Sequence, residues 1–97
     1  MVDGAQMAAH VPLQLSGNDN PARDIDVFVF SGHKIYAPGS PGVVLTRKDL
    51  FSDQEPQEVG GGIVKDVYLN RYMMLDDFPD REEAGTPNIT GAIGLGA

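Results

Sequence analysis

Val27, Phe28, Val29 and Phe30 form an unbroken apolar run between the polar stretch "NDNPARDID" and Ser31. A run of that length, rich in β-branched and aromatic residues, predicts a strand covered on both faces, as in a parallel α/β sheet. After it comes "YAPGSPG", whose two prolines and two glycines in seven residues predict a tight, irregular turn. "VVLTR" then predicts a second strand, and so short a connection favours antiparallel pairing with the first. Ahead of this pair, Met1 and Val2 supply only two apolar residues before the turn "DGAQ". They are expected to be the end of a strand that has lost most of its length. "MAAHVPL" predicts a short helical turn or loop in which Pro12 changes the direction of the chain.

The second half is less regular. "RKDLFSD" predicts one helical turn, and "QEPQEVGGGIV" predicts a loop with room for a short strand. "NRYMMLDDFPDREEAG" shows no clean periodicity. In "TPNITGAIGLGA", Thr86 and Pro87 stand where a helix would begin, followed by small and apolar residues.

Composition narrows the function classes. Ninety-seven residues suffice for one small domain, which hides less of its surface than a full-sized enzyme domain and is either marginal alone or part of something larger. The formal charge of -7 is spread along the chain, which argues against phosphate-backbone binding and makes nucleic acid a poor partner. With no cysteine, disulfide scaffolds, thiolate metal sites and a cysteine nucleophile within this chain are excluded, and no metal centre is expected. No basic segment precedes an apolar one and no apolar run approaches a membrane span, so a cytoplasmic protein is expected.

Several residues carry candidate chemistry, each with a plainer alternative. Lys34 follows a buried strand, where an ammonium must reach water or be neutralised, yet most lysines at strand ends are simply solvated. His33 fits a capping role as well as a catalytic one. Gly60 to Gly62 resemble a phosphate cradle but lack the following Lys-Ser/Thr, so a mobile loop is the simpler expectation. "REE" at 81–83 fits an ordinary solvated charge cluster, and "DGAQ" fits a turn.

Order and spacing give these pieces a shared meaning. "DGAQ", "H-x-P", "D-x-F-x-F-SGHK-x-Y-x-P", "G-V-V-L", "GGG", "R-x-EAGTPN" and "GAIGLG" follow one another along nearly the whole chain. In this the chain resembles the class V aminotransferase family, within it the cysteine desulfurase and selenocysteine lyase group, enzymes dependent on pyridoxal 5′-phosphate.

The resemblance implies an α/β fold: a partial three-layer sheet from the large domain of a fold-type I pyridoxal-phosphate enzyme. It has a strand pair around "SGHK", a C-terminal helix, and truncation at both ends. Residues 1–97 are expected to be a single partial domain, the central part of that large domain. Lys34 matches the lysine that holds the cofactor aldehyde as a Schiff base, a task for an amine that can shed its proton. Free lysine titrates near ~10.4, and an apolar strand end with cationic neighbours lowers such a value.

Asp3 matches the aspartate that pairs with the pyridine nitrogen and keeps the ring an electron sink. Gln6 matches the glutamine that hydrogen-bonds the phenolic oxygen, one turn of chain later. Ser31 and His33 match donors to the cofactor phosphate, with Gly32 between them letting the backbone approach closely. His10 matches a recurrent family histidine with a structural role. The partners implied are a small amino-acid substrate and a second copy of the chain, a homo-oligomer such as a dimer, with no nucleic acid and no membrane.

The chain also departs from the family pattern. The complete enzymes are much longer, and the arginine for the substrate carboxylate and the cysteine that accepts sulfur both lie in a later domain. "GGGIVKDV" places Asp66 near the position where desulfurases commonly carry a hydroxyl residue that reaches a phosphate, which an aspartate would repel. "REEAGTPN" places Glu82 where an aromatic residue is common. The alternative to an enzyme part is a non-catalytic remnant or cassette-encoded protein, acting as a self-associating or binding module through an open sheet edge. A third reading, an intact small enzyme that assembles a full site by oligomerising, lacks a substrate arginine.

Overall fold

Strand β2 (Val27–Ser31) is the middle of a three-stranded sheet, between β1 (Val2–Asp3) and β3 (Gly42–Thr46). The computed structural model describes all 97 residues, with five short strands, four single 3-10 turns and one α-helix. The fold is α/β, as expected. β1 runs parallel to β2, with Val2 opposite Phe28 and Asp3 opposite Val29, and the Gly4 amide extends the ladder by donating to the Val29 carbonyl at 2.7 Å. β3 runs antiparallel, in register from Val27–Thr46 to Ser31–Gly42, the pairing that the short connection predicts.

This sheet belongs to a unit made of residues 1–47 and 88–97. Phe28 is its buried centre, 6.0 Å from the Phe30 ring. Val27, Val29 and Phe30 are only half-buried, so the two-sided cover expected of the strand is not supplied within these residues. One eight-residue helix and the irregular segment between β1 and β2 are too little to bury both faces of three strands.

That irregular segment is held by local polar contacts. Residues 5–11 coil into a helical turn, Ala8 donating to the Gly4 carbonyl at 2.9 Å and Val11 to that of Met7 at 3.1 Å. Further on, Asp24 accepts from Asn18 through its side chain (2.6 Å) and backbone (3.1 Å), and from the Gly17 amide. The Asn18 side-chain bond is the main reason that the Asp24 carboxyl titrates below its ordinary value.

Helix α1 (Ile89–Gly96) starts later than Thr86 and Pro87 suggest. Asn88 is the cap, its Oδ1 accepting from the Gly91 amide at 3.0 Å.

Residues 48–87 form the second unit. The expected helical turn is present at Lys48–Leu50. Strands β4 (Val64–Val67) and β5 (Tyr72–Met74) make an antiparallel hairpin in the region without periodicity. A bulge at Lys65, between the Val64–Met74 and Asp66–Met73 pairs, breaks the alternation that would have marked the strands. Tyr68 donates to the Arg71 carbonyl at 2.8 Å across the turn, and the Arg71 guanidinium lies 4.8 Å from the Tyr68 ring centre.

Ile63 is fully buried, and Phe51 stacks on Phe78 at 6.3 Å. Arg81 is not the solvated charge that "REE" suggests. Its side chain is 12% exposed, and its guanidinium donates to the carbonyls of Phe51 (3.2 Å), Ser52 (3.5 Å) and Gln54, and to the Glu82 carboxylate (3.2 Å). No helix is long and apolar enough to cross a membrane.

Candidate functional site

Parallel pairing gives β1 and β2 a common carboxyl edge, where open α/β sheets present their ligand-binding groups. Asp3 ends β1 level with Val29, two residues before Ser31 ends β2. The chain leaves β1 into the turn that carries Gln6 and leaves β2 into the 3-10 turn Gly32–Ile35 that carries His33 and Lys34. The topology therefore brings all five candidate residues, Asp3, Gln6, Ser31, His33 and Lys34, to one edge of one sheet.

Their side chains are differently engaged. Asp3 Oδ1 accepts from the Ala5 amide at 2.9 Å, which starts the turn towards Gln6, and its second oxygen makes no hydrogen bond. Ser31 precedes a 3-10 turn without capping it. The side-chain polar atoms of Gln6, Ser31, His33 and Lys34 make no hydrogen bond or ion pair within the chain, so an amide, a hydroxyl, an imidazole and an amine stand uncommitted beside a carboxylate. Lys34 is exposed, as are His33, Gln6 and Asp3. The apolar cover expected around the Lys34 amine is thus not provided by these 97 residues, because the turn leads the chain away from the sheet and only its first residue, Gly32, is buried.

Gly32 is buried because the following loop folds back on it. Its amide donates to the Pro41 carbonyl at 3.4 Å, and its carbonyl accepts from Ala37 at 3.1 Å and from Tyr36. A β-carbon at Gly32 would lie 2.8 Å from Ser40 Cβ and 3.0 Å from Leu95 Cδ1, so no larger residue fits. Tyr36 closes the turn at φ 69°, a left-handed conformation unusual for an aromatic residue, with its ring exposed.

The remaining motifs lie elsewhere. His10 is exposed, its amide donating to the Met7 carbonyl within the helical turn. In the second unit the glycine run meets "EAG": the Gly85 amide donates to the Gly61 carbonyl at 2.8 Å, and Gly60 packs on Ala84. That run is a backbone joint, not a cradle followed by a helix. Asp66 is an exposed residue of β4, and Glu82 pairs with Arg81. No group of histidine, aspartate or glutamate residues is placed to hold a metal ion. Of two residues not singled out by sequence, Ser40 packs on Gly32 of the lysine turn, and Asn88 donates to Gly39 in the loop that follows it. The spacing of Asn88 from Gly91, an N-cap followed by a small residue, was the available signal.

Comparison with known proteins identifies the family and the fold. The family model for aminotransferase class-V matches residues 1–97. The chain is 44% identical over 96 residues to a cysteine desulfurase of Wigglesworthia glossinidia brevipalpis, covering 99% of this chain and 22% of that protein. It is 42% identical over 97 residues to a cysteine desulfurase of Pectobacterium atrosepticum, covering 100% and 23%. Among solved structures, the cysteine desulfurase CsdA of Escherichia coli superposes with a TM-score of 0.79 at 41% identity, over 98% of this chain and 22% of that one. An apo cysteine desulfurase from Thermococcus onnurineus NA1 gives 0.75 at 42% identity, over 96% and 22%. The chain thus spans less than a quarter of the length of the relatives it matches.

Proposed function

The chain belongs to the class V aminotransferase family, and from that premise we propose that its 97 residues form the central, cofactor-holding part of the large domain of a cysteine desulfurase-like enzyme dependent on pyridoxal 5′-phosphate. The observation that carries this reading is the Asp3–Val29 pairing, which sets the Asp3–Gln6 turn and the Ser31–Lys34 turn at the same strand ends.

The donor set fits the cofactor chemically. Ser31 and His33 offer a hydroxyl and an imidazole to a phosphate, and neither side chain is committed to a partner within the chain. Gln6 offers an amide to a phenolic oxygen, and Asp3 retains a free carboxylate oxygen for a protonated ring nitrogen. Lys34 is the catalytic residue. Its amine would hold the cofactor aldehyde and, when free, would serve to move a proton at the substrate α-carbon. When bound, the cofactor supplies the electron sink for carbanion chemistry at that carbon.

The substrate class under this proposal is a small amino acid, cysteine by likeness to the named relatives, and the setting is cytoplasmic. The chain has no cysteine of its own, so it cannot itself carry a persulfide. The expected result with cysteine is no sulfide release above that of free cofactor. Self-association belongs to the same proposal: Val67 and Leu69 in the hairpin are 74% and 109% exposed, and β3 has a free outer edge.

Chemical trapping tests the central claim. The chain has three lysines, Lys34, Lys48 and Lys65. After incubation with pyridoxal 5′-phosphate and borohydride reduction, peptide mass spectrometry should find the adduct concentrated on Lys34. Equal yields on all three would overturn the proposal.

A further inference from the structure

Asn88 lies 49 residues from Gly39 in sequence, yet its side-chain Nδ2 donates to the Gly39 carbonyl at 2.8 Å. The same amide uses its oxygen to cap α1 through the Gly91 amide. One side chain therefore fastens the helix start to the tip of the loop that follows the lysine turn.

Two further contacts make this a rigid brace. Gly91 is buried against that tip, where a β-carbon would run into the Gly39 carbonyl oxygen and lie 2.9 Å from Asn88 Cγ. From Gly39 the loop passes to Ser40, whose side chain presses on Gly32, while Leu95 of α1 presses on Gly32 as well. Gly32 is the first residue of the 3-10 turn bearing His33 and Lys34, and its carbonyl anchors the amides of Tyr36 and Ala37. The path from Asn88 to the turn runs through touching atoms at each step.

We propose that Asn88 is a positioning residue for Lys34, holding the Gly32–Ile35 turn in place through Gly39 and Ser40. The importance of this to the lysine's chemistry rests on the function proposed above; the brace itself does not. Asn88 touches neither Lys34 nor any site for substrate. Its effect is to remove freedom from the turn that aims the amine. Interior glycines at 32 and 91 and a left-handed Gly39 (φ 77°) are what let three backbone segments approach so closely.

Asn88→Ser separates the two tasks of the side chain. Serine caps helices as well as asparagine does, but has no second arm to reach the loop. Asn88→Asp also caps, and turns an oxygen towards the Gly39 carbonyl. In the 97-residue chain, hydrogen exchange followed by NMR should show the Tyr36 and Ala37 amides exchanging about fivefold faster in both variants, the scale of one lost hydrogen bond. The Ala92 amide, which donates to the Asn88 carbonyl within α1, should be unchanged. With pyridoxal 5′-phosphate and borohydride, the preference of the adduct for Lys34 over Lys48 and Lys65 should fall in step.

Wild-type exchange at Tyr36 and Ala37 in both variants overturns the brace, as does equal acceleration at Ala92, which would mark a general loss of structure. Altered exchange with an unaltered adduct preference overturns the link to Lys34. If the wild-type adduct does not favour Lys34, the proposed function fails instead, and the exchange comparison still decides the brace.

Discussion

Gly32 and Ser40 are in direct contact, backbone against side chain, and Ser40 Oγ is buried there without a hydrogen-bond partner. Gly32→Ala is therefore expected to destabilise the first unit by about 1–3 kcal/mol, the usual range for overpacking a site whose walls cannot retreat. Ser40→Gly removes the nearest wall and should restore part of the loss. Urea midpoints of the two single variants and the double variant give the coupling between the positions. Additive effects, with no coupling beyond about 0.5 kcal/mol, would mean the contact is not what limits position 32.

The parts of this contact that sequence made legible are those that local chemistry decides. The apolar run at 27–30 marked β2, and the proline and glycine content of "YAPGSPG" marked the tight return to β3. Asp3 and Gln6, at and just after the end of β1, and Ser31, His33 and Lys34, at and just after the end of β2, stood out by motif. That they share an edge depends on the parallel pairing of a two-residue strand, which no pattern of two residues can announce. The β4–β5 hairpin was hidden by the bulge at Lys65. Asn88 does not stand out in the sequence and Arg81 looks like a solvated charge, because their partners are backbone carbonyls 49 and 27 to 30 residues away, and a carbonyl has no sequence signature.

Arg81 is expected to hold the 51–54 segment in place. Its fork reaches three carbonyls from a position 12% exposed, and lysine presents a single point of donation from a longer, looser stem. Arg81→Lys should cost about 1.5–3 kcal/mol, the net value of one hydrogen bond from a charged donor, and expose the segment to protease. Limited proteolysis with mass mapping is the measurement. Unchanged cleavage within residues 51–58 would show that Phe51 stacking on Phe78 suffices to hold the segment.

Asp24 makes the loop before β2 sensitive to acid. Its carboxyl titrates below the ordinary 3.8, first because of the Asn18 side-chain bond and then through the Asn18 and Gly17 amides, with a further contribution from Arg47. A depressed folded-state value means the charged form is bound more favourably in the folded loop. The contribution is whole above the unfolded-state value and fades as pH falls through the lower folded-state value. NMR amide exchange at Gly17 and Asn18 should be flat from neutral pH down to about pH 4, then lose protection at lower pH. Asp24→Asn should abolish that acid limb. An acid limb that persists in the variant would assign it to another carboxylate.

Asp3 offers the sharpest separation of fold from chemistry. Its Oδ1 accepts from the Ala5 amide, a bond that an asparagine oxygen reproduces, so Asp3→Asn should leave the turn and the melting temperature essentially unchanged. The variant loses the negative charge that, under the proposed function, faces the protonated ring nitrogen of the cofactor. A charge-assisted hydrogen bond exceeds a neutral one by roughly 1 kcal/mol, so affinity for pyridoxal 5′-phosphate should fall several-fold while Lys34 remains the labelled lysine. Asp3→Ala loses both the charge and the Ala5 bond and should be less stable as well as weaker in binding. Equal cofactor affinity in wild type and Asp3→Asn, with the fold intact in both, would leave Asp3 a turn-forming residue and remove it from the site.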